Sequence, residues 1–232
     1  TYPEWTPENL GLGVSGSIEY GALADAQYTS DGNPGNNQEL SEFVLDYWHD
    51  VSVKSITQPS IGRDVTWIHY DTEVNVDALG LTAGGTWEAA IRLTPTELGA
   101  YDGYQLTKAK FHHGYVSGTS QPAHSGNVKI YDAGTASTTG ALLYSQPFTT
   151  PAGNDWFTID LTTGVTIDAS KDIWVSIEVT HAAGEYPMGM DASAATVGKG
   201  DFIYYSGAWN ELYLLGFDNN WNIQAGVESG GP

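Results

Sequence analysis

From about Asp50 onward the chain alternates apolar and polar residues with a period of two, the spacing of a strand that buries one face. Trp87, Ala89, Ile91 and Leu93 alternate with Thr86, Glu88, Ala90 and Arg92. Ile173, Val175, Ile177 and Val179 alternate in the same way with Trp174, Ser176, Glu178 and Thr180. Similar stretches recur at residues 64–70, 106–113, 127–131, 141–146, 156–161, 201–206, 209–215 and 222–227, separated by turns rich in Gly, Pro and Asp. About ten short strands at this spacing predict an all-β fold, an antiparallel, jelly-roll-like β-sandwich.

Two segments depart from that period. Thr94-Pro95-Thr96-Glu97 reads as a capping box with proline at the first helical position, which predicts a helical turn over 95–100. Leu40, Phe43, Val44, Tyr47 and Trp48 fall on one helical face after Asn36 and Asn37, predicting an amphipathic helix over 38–48. Ahead of it, Leu10, Leu12, Val14, Gly16, Ile18 and Tyr20 occupy alternate positions of a run, 10–26, that would extend on the order of 50 Å as a strand. Such a segment suits an N-terminal arm donated to a groove or sheet edge of a neighbouring subunit. An ordinary hairpin of the same sandwich and a disordered leader remain open for it. The expected organisation is an arm plus short helix at 1–48 and a sandwich domain at 49–232.

Composition narrows the classes of function. The 232 residues carry 8 Lys+Arg against 28 Asp+Glu, a formal charge of −20, while only 16% of residues are charged. The acidity is therefore a shortage of base, and no basic footprint exists for nucleic acid. The absence of cysteine excludes disulfides, thiolate nucleophiles and Cys-based metal sites. No apolar run approaches membrane-spanning length, and the chain opens on Thr1 without an apolar leader. An extracellular or cell-surface protein whose signal peptide has been removed is the expectation.

With the strands laid out, residues about 67–228 resemble a β-sandwich accessory domain that recurs in secreted and surface proteins of bacteria and archaea, often beside subtilisin-like protease or immunoglobulin-like modules. The resemblance rests on Ile68-His69-Tyr70-Asp71, on Gly80-Leu81-Thr82-Ala83-Gly84-Gly85-Thr86-Trp87-Glu88-Ala89-Ala90-Ile91-Arg92 and on Leu98-Gly99-Ala100-Tyr101. It continues through Val128-Lys129-Ile130-Tyr131, Ala169-Ser170-Lys171-Asp172-Ile173-Trp174, Gly184-Glu185-Tyr186-Pro187, Gly198-Lys199-Gly200-Asp201 and Trp221-Asn222-Ile223. It implies an accessory module and brings no catalytic residues with it.

Several constellations are candidates for chemistry. Asp31, Asn33, Asn36 and Glu39, and separately Asp71, Glu73 and Asp77, are loop oxygen donors that could hold calcium, a hard cation needing six to eight oxygens. His112 and His113 are adjacent on a strand, so they point to opposite faces; one of them with His124 or His181 is the only candidate zinc set. Glu88 and Glu178 are the kind of strand-borne carboxylate pair that glycoside hydrolysis uses. There is no Gly-x-Ser-x-Gly elbow, Walker loop or dinucleotide fingerprint. The 8 Trp and 14 Tyr leave room for a sugar-binding face, for which Trp174, Trp209, Tyr213 and Trp221 are the candidates. The sequence thus points first to a non-catalytic extracellular subunit that self-assembles into a filament or layer through 10–26. The alternative is a monomeric carbohydrate-binding accessory module of a larger secreted hydrolase.

Overall fold

A computed structural model describes residues 64–115 and 120–229. All of them belong to the second of the chain's two units, Ser60–Pro232. The arm residues Leu10 to Tyr20, the 38–48 helix and the loop Asp31, Asn33, Asn36 and Glu39 lie outside the described residues. What is described is an antiparallel β-sandwich of jelly-roll type, with two six-stranded sheets.

One sheet contains β1 (Thr66–His69), β12 (Ile223–Glu228) and β4 (Gln105–His113), flanked by β7 (Asp155–Thr166) and, at one end, by β9 (Met188–Met190) and β2 (Asp77–Leu79). The other runs β11 (Ala208–Glu211), β10 (Phe202–Tyr205), β3 (Gly85–Leu93), β8 (Ile173–His181), β5 (Ser125–Tyr131) and β6 (Leu142–Thr149). Between β3 and β4 the helical turn α1 (Pro95–Leu98) forms where the capping box predicts it. The Glu97 carboxylate accepts the Thr94 N–H at 2.9 Å. Among the described residues no helix is long and apolar enough to cross a membrane.

Period-two burial builds the interior. Trp87, Ala89, Ile91 and Leu93 of β3 and Ile173, Val175, Ile177 and Val179 of β8 face Leu106, Ala109 and Phe111 of β4 and Ile223, Ala225 and Val227 of β12. Each large apolar side chain so buried contributes about 1.5–3 kcal/mol. Trp221 is wholly buried against Trp87, ring centroids 5.6 Å apart, and donates its indole N–H to the Phe202 carbonyl at 2.7 Å.

Three local outcomes differ from the sequence reading. β2 and β9 are only three residues long, too short to show a period. The strand expected over 209–215 stops at Glu211, because Leu212 turns inward and a 3-10 turn, Tyr213–Leu215, follows. Gly216 closes that turn in the left-handed region at φ 93°, and the Asp201 carboxylate accepts the Tyr213 N–H at 3.2 Å. Third, β4 carries a bulge: Gly226 is opposite Lys108 and Val227 opposite Leu106, so Thr107 is one residue in excess. The bulge lets Leu106 and Ala109 both face inward and turns Lys108, Lys110 and His112 out.

Candidate functional site

The outward side chains of the first sheet form an ordered array. The register aligns Trp67, Gly226, Lys108 and Asp160 in one row and His69, Gln224, Lys110 and Thr158 in the next. His112 and Trp156 extend a third row, where the His112 N–H donates to the Asn222 carbonyl at 3.0 Å. Strand alternation puts these groups on one surface because Ile68, Phe111 and Ile159 occupy the opposite one.

Tryptophan and lysine dominate the centre. The Lys110 ammonium lies 4.8 Å from the ring centroid of Trp67 and 4.7 Å from that of Trp156, so it is held between two indoles. Each such contact is worth about 0.5–2 kcal/mol. Both tryptophans are half-buried, leaving ring surface to solvent. Trp67 can lie down on the sheet because its neighbour is Gly226; a Cβ there would meet the indole at 3.0 Å and the Lys108 Cβ at 2.9 Å. Trp156 is steadied by His112, whose ring meets it edge-on with centroids 5.6 Å apart. His112 Nδ1 in turn donates to the Gly114 carbonyl at 3.2 Å.

One end of the array is a buried polar seam. Gln224 donates to Asp71 at 3.0 Å and to Glu73 at 3.5 Å, and Asn222 donates to Asn75 at 2.8 Å. His69 Nδ1 donates to the Asp71 carbonyl at 3.0 Å. The Asp71 carboxylate beside it, with help from Glu73 and against the cost of burial, raises the His69 pKa. Asp71 and Glu73 are therefore brought together, but Asp77 starts β2 and accepts the Ala78 N–H instead. Only the Asp71 Oδ2, Asn222 Oδ1 and Gln224 Oε1 atoms of this seam lack a donor, against the six to eight oxygens calcium takes. Among the described residues no three His, Asp or Glu side chains are arranged to hold a metal ion.

The histidines behave as a hydrogen-bonded chain. His112 and His113 do point to opposite faces, and His113 Nε2 lies 2.7 Å from His124 Nδ1 inside the sandwich. His124 Nε2 bonds Glu185 at 3.0 Å. His181 donates from Nδ1 to the Ala182 carbonyl and accepts the Leu81 N–H at Nε2. The facing nitrogens of His113 and His124, the second nitrogen of His124, and both nitrogens of His181 are thus engaged with protein partners. Burial first, and then the neighbouring His124, lower the His113 pKa to about 4.

The outer face of the second sheet is built differently. Glu88 and Glu178 are directly opposed, and the Lys129 ammonium bridges them at 2.7 and 2.5 Å. Tyr131 and Ser176 donate to Glu88, and Asn127 donates to Glu178. Burial acts to raise the Glu178 pKa, but the Lys129 and Asn127 bonds outweigh it and hold the group below the usual range. Glycoside hydrolysis requires one carboxyl that keeps its proton, and a lysine-bridged pair is arranged against that.

The aromatic candidates from sequence divide here. Trp174 lies on the outward phase of β8, as its strand position predicts, yet it is fully buried with Ala90 and Phe202 under Tyr131 and Trp209. Trp221 belongs to the interior. Neither ring has a face to offer a sugar, which corrects the expectation for both. Trp209 is half-buried, and Tyr213 is exposed on the 3-10 turn. The tryptophans that do form a platform, Trp67 and Trp156, were legible only as outward positions opposite Ile68 and Phe157.

No protein-family model and no curated protein matches the chain. Among solved structures it is similar to one described as the cysteine protease and lectin-like domains of Cwp84, a surface layer associated protein of Clostridium difficile. The TM-score is 0.48 with 10% identity, over 63% of this chain and 33% of that one, so the chain spans about a third of that protein's length.

Proposed function

We propose that the chain is a non-catalytic, extracellular carbohydrate-binding accessory module whose binding face is the outer surface of the β1-β12-β4-β7 sheet. One observation carries the reading: Trp67 and Trp156 stand half-exposed on the outside of a sheet, each positioned by a dedicated neighbour, Gly226 or His112. Pyranose rings stack their C–H faces on indoles, and polar groups around the platform, here His69, Glu73 and Thr158, supply hydrogen bonds. The satisfied Glu88–Lys129–Glu178 bridge supports a binding role rather than hydrolysis.

The test is affinity electrophoresis of the full chain in gels containing neutral or acidic polysaccharides. Retardation by at least one of them is expected, together with a loss of about ten-fold or more in affinity for Trp67→Ala and Trp156→Ala. If no polysaccharide retards the wild type, or both variants are retarded equally to it, the reading is wrong.

A second reading, self-assembly of a surface subunit with donation of 10–26 in trans, draws on the exposed apolar turn at 213–217. There Leu214 is 74% exposed, beside Tyr213, Leu215 and Phe217. Contiguous apolar surface of this kind marks contact with another protein. Sedimentation velocity over a hundred-fold concentration range decides it, a single monomeric species throughout being the adverse result.

A further inference from the structure

The eight basic side chains of this chain are outnumbered by 28 acids, so a cation without a carboxylate partner is not a product of scarcity. Six of the eight are among the described residues, and five of those six are ion-paired. Arg92 pairs with Asp172, Lys108 with Asp160, Lys171 with Asp168, Lys199 with Glu97, and Lys129 with both Glu88 and Glu178. Among the described residues, Lys110 alone has no carboxylate. Its register neighbours are neutral on both sides, Gln224 on β12 and Thr158 on β7. One row away, Lys108 is opposite Asp160.

Lys110 is also the described lysine held by aromatic rings. Contact with two indoles fixes the lysine side chain, which removes much of the ordering cost that a free lysine would bear on binding an anion. Resting on the carbohydrate-binding reading above, we propose that the platform recognises an acidic sugar, a pyranose bearing a carboxylate. The sugar ring stacks on Trp67 or Trp156 while its carboxylate pairs with the Lys110 ammonium. A carboxylate substituted on a pyranose ring projects from the ring's edge, and an ammonium 4.8 and 4.7 Å from the two indole centroids lies within reach of the edge of a sugar stacked on either ring. Flanking carboxylates, Asp160 on β7 and Glu73 beside Gln224, restrict this pairing to the lysine position. The overall charge of −20 repels polyanions at long range, so an acidic glycan is held only by such a local contact.

Isothermal titration calorimetry with the full chain tests this. The probes are oligosaccharides of galacturonate, mannuronate and glucuronate, each also supplied as its neutral methyl ester, and a panel of neutral oligosaccharides. At least one acid is expected to bind ten-fold or more tighter than its ester. Lys110→Met should bring that ratio close to one, and Lys110→Arg should retain most of it, with circular dichroism reporting that both variants fold. If acid and ester bind equally, if Lys110→Met keeps the preference, or if only neutral sugars bind, the acidic-sugar assignment falls while carbohydrate binding stands. If no sugar of either class binds the wild type, both fall.

Discussion

The two outer faces of the sandwich use the same residue types for opposite ends. On the second sheet, Trp174 and Phe202 are sealed under Tyr131 and Trp209, and Lys129 is shared by two carboxylates. Arg92 fastens the neighbouring loops there through the Ala136 and Gly198 carbonyls. On the first sheet, Trp67 and Trp156 remain half-exposed, and Lys110 lies between their rings with no carboxylate partner among the described residues. Polar and aromatic groups that satisfy one another stabilise a fold; the same groups left partly unsatisfied at the surface are available to a ligand. The difference lies in what reaches each ammonium: Lys129, with serines opposite it in register, is met by two glutamates from an adjoining row, whereas Lys110 has only the neutral Gln224 and Thr158 opposite it and no carboxylate partner.

Mutations read this contrast directly. The largest effect is expected for Trp174→Ala, which opens a cavity and should cost about 3–5 kcal/mol, whereas Trp156→Ala, half-exposed, should cost about 1 kcal/mol. Calorimetric melting of the two variants measures the gap, and equal losses would mean that both faces are structural. Next comes the lysine pair. Lys129→Met leaves opposed carboxylates and should cost roughly 3 kcal/mol at pH 7, against about 1–2 kcal/mol for Lys110→Met, which gives up two cation–π contacts. The Lys129 deficit should shrink as pH falls through the carboxylate range. Bridging by Lys129 lowers the folded pKa of Glu178, so the stability it supplies is present above the unfolded value of 4.5 and disappears in acid. Urea titrations at pH 7 and pH 4 check both statements.

The smallest effect sharpens the comparison within one dipeptide, since His112 faces the platform and His113 the closed interior. With a folded pKa near 4 against 6.5 unfolded, His113 takes up its proton more readily in the unfolded chain. Stability from its neutral form is complete above pH 6.5 and is lost as pH drops toward 4. A His113→Phe variant should therefore destabilise less than wild type over that window. Parallel pH–stability curves for the two proteins would count against the assignment.

How much of this was legible in the sequence follows from what period-two reading can see. The long strands β3, β8 and β5 fall where alternation puts them, and the capping box at Thr94 marks α1. Alternation also assigns Trp174 correctly to the outward phase, but outward is not exposed: Tyr131, Trp209 and the loops tied to Arg92 come from elsewhere in the chain. The platform was missed for the converse reason. Trp67, Lys110 and Trp156 are 43 and 46 residues apart in sequence, so only the strand order β1-β12-β4-β7 makes them neighbours. The histidine chain is hidden in the same way, because His113, His124 and Glu185 meet through three separate segments.

Thr107 has a reach beyond its own position. Because it is the one surplus residue of β4, the strand carries a phase: Leu106 is in step with the interior on one side of it, and Lys108, Lys110 and His112 are in step with solvent on the other. Strand length there is in effect a parity bit. Adding or removing one residue would exchange the faces of everything beyond it, carrying the lysines inward and Ala109 and Phe111 outward. A two-residue change would preserve them. The platform is thus encoded as much by a count as by the identity of the side chains that compose it.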